Sequence, residues 1–183
     1  MTAFPLLWLI GPSAVGKSTI GHTTFRMLAA AGVNSAFVDG DQLGLCYPAP
    51  DGDPGNHHLR AANLATVWRG YRSAGAECLI LSGYVWTTDE VKLYTDAVPG
   101  MSLTLCRLRA SRSVHEERYL HRGWMPEHLP DALREADDLD AIGLPAHVIE
   151  TDGLSPHQIA QQICGPTGIW PMPSAHRTAT RDV

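Results

Sequence analysis

Two short stretches of the chain hold the side chains best suited to chemistry. The first, "GPSAVGKST" (residues 11–19), fits the pattern G-x-x-x-x-G-K-[ST]. Gly11 and Gly16 let the backbone turn sharply, so that the N–H groups of Ser13, Ala14, Val15 and Gly16 point inward at phosphate oxygens. A helix starting at Lys17 adds the partial positive charge of its N-terminus. In such a loop Lys17 bridges the β- and γ-phosphates, Ser18 offers its hydroxyl to Mg²⁺ and Thr19 bonds the α-phosphate. The stretch therefore predicts a site for a nucleoside triphosphate.

The second stretch, "FVDGDQLG" (37–44), puts Asp39 and Asp41 one residue apart. Two carboxylates so close repel each other unless a cation, a hydroxyl or water occupies the space around them. Asp39 is read as the metal-side group, with Ser18, and Asp41 as the base that takes the proton of an attacking hydroxyl. Another reading makes Asp41 the N-cap of the turn "DQLGL". Further on, "LILSGYVW" ends without a carboxylate. Ser82 could bond a metal-held water there, and Gly83 would let an acceptor approach the backbone. Tyr84 and Trp86 either line an acceptor pocket or pack under the helix that follows. Asp51 and Asp53 either meet a cationic substrate or are solvated turn residues.

These groups need elements that carry them to one place. Apolar runs at 5–11, 35–40, 77–83, 102–108 and 146–151 read as short buried strands. Between them lie helical patterns at 17–31, 57–74, 88–96, 111–121 and 129–143, and a last helix follows Ser155 as N-cap with Pro156 at its first position. Residues 46–56, with three prolines and two glycines, form a loop. Strands alternating with helices imply right-handed βαβ units and a five-stranded parallel sheet with helices on both faces. Both aspartates then fall at the carboxyl end of the second strand, where open parallel sheets bind ligands. One domain over residues 1–165 is expected, followed by a loose tail over 166–183. A second reading has "GIWPMP" packing on the domain or on a partner subunit.

Bulk properties narrow the class. A net charge of −5 argues against coating nucleic acid or an anionic membrane surface, since both need a basic face. Twelve of the 14 basic residues are arginine, which suits phosphate forks and equally a GC-rich genome. Cys46, Cys78, Cys106 and Cys164 contain no C-x-x-C pair, and Cys78 and Cys106 sit in apolar strand-like runs, as reduced core thiols do. No stretch nears the roughly 20 apolar residues of a membrane span, and a cytoplasmic location is expected.

In order and spacing, the phosphate loop, "DGD" after the second strand, an arginine on the next helix, "SG" after the third strand and the arginine-rich "RLRASRSVHEERYLHRG" resemble the small-molecule kinases of the nucleoside-monophosphate-kinase superfamily. Shikimate, gluconate and adenylylsulfate kinases and chloramphenicol phosphotransferase are the nearest in kind. The resemblance covers residues 5–164 and implies the three-layer α/β sandwich of P-loop NTPases, with ATP and Mg²⁺ as cofactors. It implies an acceptor-binding role for Arg60 and a lid over about 111–134. The lid would bring Arg118 or Arg122 onto the transferring phosphate, with Arg112 among the nucleotide-binding residues. Arg107 could stack on the nucleobase, and Asp152 and Gly153 match in position the loop that touches the base. The function implied is transfer of the γ-phosphoryl group to a hydroxyl of a small molecule, an antibiotic or metabolite, by a monomer or homodimer. A nucleotide or sulfonucleotide kinase, and a binding or regulatory module with slow hydrolysis, are the alternatives.

Overall fold

The computed structural model describes residues 3–123 and 125–170. Five strands form one sheet: β1 (Phe4–Ile10), β2 (Ser35–Asp39), β3 (Cys78–Ser82), β4 (Met101–Arg109) and β5 (His147–Glu150). The spatial order is β2-β3-β1-β4-β5 and every pairing is parallel. The helices are α1 (Lys17–Ala30), α2 (His57–Ser73), α3 (Thr88–Ala97), α4 (Arg112–His121), α5 (Leu129–Ile142) and α6 (Pro156–Cys164). Each strand and helix lies within about a residue of where the apolar periodicity puts it. Two short 3₁₀ turns, Gly40–Gly44 and Pro126–His128, complete the set.

The central strand explains the layering. Leu6 to Ile10 are all buried because β1 pairs on both edges and is covered on both faces. Its side chains alternate between two cores. Leu6, Trp8 and Ile10 pack with Ala61, Leu64 and Trp68 of α2 and Tyr94 of α3. Leu7 and Leu9 pack with Ile20 and Leu28 of α1 and Ile159 and Ile163 of α6. The connections leaving neighbouring strands β1 and β3 thus run to opposite faces. A crevice opens between their carboxyl ends, and the phosphate loop sits there.

The described part of the C-terminal stretch packs. Trp170 is 1% exposed among the α1 and α6 core residues, and its backbone N–H donates to Ile163 O at 3.1 Å. Residues 168–170 follow the packing reading of "GIWPMP" and not the loose-tail one. Residues 171–183 lie outside the described part. Cys78, Cys106 and Cys164 are buried free thiols, and burial pushes the pKa of Cys78 and of Cys106 up to about 12. No helix among the described residues is long and apolar enough to cross a membrane.

Candidate active site

The phosphate loop turns out of β1 at Gly11, with φ 150°. A Cβ there would lie 2.8 Å from Leu108 O and 2.9 Å from Val15 Cγ1, so no other residue fits. Gly16, at φ 107°, opens α1 with no side-chain cap, and no acidic residue lies in the first turn. Its N-terminal N–H groups are thus available to an anion. In contrast, α3 and α6 have capping boxes, Thr87 with Glu90 and Ser155 with Gln158. Lys17 folds back across the loop, donating from Nζ to Gly11 O at 2.8 Å and Pro12 O at 2.9 Å. Desolvation lowers its pKa, and the carboxylates of Asp41, Glu135 and Asp39 oppose that. The loop lines a cavity of about 610 Å³ together with Asp39, Asp41, Arg118 and Arg122, and Ser18 and Thr19 are exposed at it.

Asp39 is the last residue of β2. Its Oδ2 accepts the Ser18 hydroxyl at 2.7 Å, and its Oδ1 accepts the Asp41 N–H at 3.1 Å, capping the 3₁₀ turn. Capping therefore falls to Asp39 and leaves the Asp41 carboxylate for other work. Gly40 is required between them, because a Cβ there would come within 2.8 Å of Ser82 O. A hydroxyl and a carboxylate side by side at the end of a phosphate loop suit Mg²⁺, which keeps water and phosphate oxygens as its other ligands. Among the described residues no group of three or more His, Cys, Asp or Glu could hold a metal by itself.

Beyond Asp41 the chain builds a second chamber. The Arg60 guanidinium stacks over the Tyr84 ring at 4.4 Å, and its Nη1 lies 4.0 Å from Asp41 Oδ1. Gly44 lies directly beneath, and a Cβ there would collide with the Arg60 side chain. Asp41 and Lys17 share a cavity of about 310 Å³ with Tyr84, Trp86 and Glu135. Tyr84 and Trp86 also wall an outer vestibule of about 700 Å³ between the 52–58 loop and α3, so they face open space and not only the helix. Ser82 differs from expectation. Its side chain is completely buried, so it meets neither a metal-held water nor an open acceptor chamber. Asp53 is neither a substrate ligand nor a solvated turn residue. It is 6% exposed, and its Oδ2 accepts the Leu59 N–H at 3.1 Å at the start of α2.

The segment expected as a lid comprises α4, the turn after it and the start of α5. His115, 1% exposed, lies 2.6 Å from Ser13 O through Nε2. Arg118 donates to Thr151 Oγ1 at 2.7 Å, Thr151 O at 3.0 Å and Val15 O at 3.4 Å. It lines the phosphate-loop cavity while tying α4 to the residue after β5 and to the loop itself. Arg122 lines the same cavity, and its charge adds to the lowering of the Lys17 pKa. Arg107 does not face a nucleobase. It is 7% exposed, donates to Leu139 O at 2.7 Å and Ala136 O at 3.3 Å, and pairs with Asp140 at 3.0 Å, pinning α5 to β4. Arg112 pairs with Asp137 at 3.3 Å on the exposed side. Asp152 accepts the Ser111 N–H at 3.1 Å, and Gly153 turns the chain beside it at φ 68°.

The sequence reading missed Glu135. Its Oε2 accepts the Ser13 N–H of the phosphate loop at 2.9 Å, which puts a carboxylate beside Lys17. Nothing in "LPDALREADDLDAI" separates it from the other acids of that helix. Only the packing of α5 over the loop selects it.

The sheet order, with the phosphate loop at the switch point between β1 and β3, is that of the P-loop NTPase fold. Among solved structures, the Deinococcus radiodurans tunicamycin resistance protein is similar over 92% of this chain and 99% of that one, with a TM-score of 0.60 and 21% identity. A gluconokinase from Sinorhizobium meliloti 1021 is similar over 88% and 90%, with a TM-score of 0.55 and 21% identity. The Mycobacterium tuberculosis APS kinase, solved with AMPPNP and APS, is similar over 89% and 96%, with a TM-score of 0.57 and 20% identity. No family model and no curated protein sequence matches the chain.

Proposed function

We propose that this protein transfers the γ-phosphoryl group of ATP to a hydroxyl of a small molecule. One observation carries the reading: Lys17, Ser18 and Asp39 meet at the phosphate loop, with Ser18 Oγ 2.7 Å from Asp39, while Asp41 stands where the nucleotide cavity opens toward Tyr84 and Trp86. Triphosphate thus lies on one side of Asp41 and the acceptor on the other. Asp41 takes the proton of the acceptor hydroxyl as its oxygen bonds the γ-phosphorus and the bond to the β-bridging oxygen breaks. Lys17 and Arg122 face the charge that spreads over the phosphoryl oxygens. Mg²⁺, held through Ser18 and Asp39, would neutralise the β- and γ-oxygens.

The vestibule favours a kind of acceptor. Asp89, Glu90 and Asp96 line it, with Lys92 as the one lysine or arginine among the described lining residues, and Lys92 is paired with Asp96. That balance suits a neutral or amine-bearing hydroxyl compound over a phosphorylated or sulfated one. The test is a panel of neutral, aminated and phosphorylated hydroxyl compounds, scored by acceptor-stimulated ADP release. Asp41→Asn should lower the stimulated rate by about 10²- to 10⁴-fold with nucleotide binding retained. If Asp41→Asn hydrolyses ATP like the unaltered protein and no compound stimulates either, a slow nucleotide-hydrolysing module replaces the kinase reading.

A further inference from the structure

Four polar side-chain atoms at and around Asp41 have no hydrogen-bond partner among the described residues. Trp8 Nε1, Ser82 Oγ, Arg60 Nε and Asp41 Oδ1 are all buried and unbonded. Their residues line one cavity of about 10 Å³, floored by Gly40 and Gly83. Trp8 is 1% exposed and Ser82 0%, so neither can turn to bulk solvent. A Cβ built on Gly83 would lie 3.8 Å from Trp8 Nε1 and 3.9 Å from Asp41 Oδ1, with no atom closer than 3.8 Å. The missing side chain thus keeps the space between these two atoms open. A run of buried polar atoms without partners is costly and uncommon in native proteins, and it is unusual for several to converge on one point.

Their chemistry identifies the occupant. The indole and guanidinium N–H groups only donate, the carboxylate oxygen only accepts, and the hydroxyl does either. About 10 Å³ is the space of a single water. A single water has the two accepting and two donating positions to take hydrogen bonds from Trp8 Nε1 and Arg60 Nε and give them to Asp41 Oδ1 and Ser82 Oγ. We propose that Trp8 and Ser82 are positioning residues that fix the Asp41 carboxylate through one buried water, which they share with Arg60. The carboxylate is then tied inward through Oδ1, leaving Oδ2 to face the cavity shared with Lys17. The assignment rests on Asp41 as the group that meets the acceptor hydroxyl. It gives Trp8, a residue otherwise read as core, a part in orienting that group.

The test needs neither nucleotide nor acceptor. In the full chain, the Trp8 indole N–H should give a rotating-frame cross-peak to a bound water. Three-bond couplings of the Asp41 side chain should report a single χ1 rotamer. Ser82→Ala and Trp8→Phe should each weaken the water cross-peak or remove its source and let Asp41 χ1 average between rotamers. Ser82→Ala, the smaller change, keeps the test usable if Trp8→Phe does not fold. A loss of stability without averaging at Asp41 would mean a packing role only and overturn the proposal, and so would an indole N–H with no water cross-peak. Because these signals are read without phosphoryl transfer, a failed acceptor screen leaves them unaffected.

Discussion

Arg118 and Arg122 stand one turn apart at the end of α4 and line one cavity, yet they are built for different work. The Arg118 guanidinium spends its donors on Thr151 and Val15, acceptors that belong to the protein. Arg122 lines the phosphate-loop cavity, close enough for its charge to lower the Lys17 pKa. Arg122→Ala is expected to cut acceptor-stimulated ADP release on the order of 10³-fold. Arg118→Ala should remove charge-assisted hydrogen bonds worth about 1.5–3 kcal/mol and lower Tm. Steady-state kinetics beside a melting curve for each variant separates the two. A stable, inactive Arg118→Ala together with an active Arg122→Ala would exchange the assignments.

Element by element, α2 and α5 are set by acids at very different positions. Asp53 sits at the N-terminus of α2. Burial raises its pKa, but the N–H groups of Leu59, His58 and His57 outweigh that and hold the carboxylate below its ordinary 3.8. A folded-state value below the unfolded one gives stability that is present above the ordinary value and lost as pH falls through the folded one. Asp53→Ala should thus cost about 1–2 kcal/mol at neutral pH, a cost that shrinks in acid below about pH 3.8. Urea midpoints at pH 7 and pH 3 show the difference. Glu135 acts through α5. Its carboxylate holds the Ser13 N–H, and bound phosphate would meet its negative charge. Glu135→Gln is expected to tighten ADP binding by up to about tenfold, measured by titration. Weaker binding would count Glu135 among the nucleotide's ligands.

For the molecule as a whole, two apolar layers clamp one sheet, and the second layer closes only past α6. Trp170 fills the space between α1 and α6. Trp170→Ala should cost about 3–5 kcal/mol, read from denaturant unfolding. Little change would make residues 166–170 dispensable and restore the domain limit near residue 165. The same sheet fixes the approach to the site, because β1 and β3 send their connections to opposite faces. The phosphate loop and the chamber beside Asp41 therefore meet at the tips of adjacent strands.

Local chemistry in the chain was enough to find the phosphate loop, because nine consecutive residues carry its glycines, lysine and hydroxyls. The same holds for the paired aspartates, and for strands and helices whose apolar periodicity is written over short stretches. Partners distant in the chain were not legible there. Arg107 reads as a nucleobase-stacking arginine until the Leu139 carbonyl, 32 residues away, accepts its N–H. Glu135 looks like any helix acid until Ser13, 122 residues earlier, comes under it. Trp8, Ser82, Arg60 and Asp41 come from β1, β3, α2 and the turn after β2, and no spacing links them. Sequence alone determined which groups can bind phosphate and which elements carry them, since both follow from local geometry. The tertiary structure decided which arginines are structural, which acid touches the loop and what surrounds Asp41, since those depend on how two helical layers pack across one sheet.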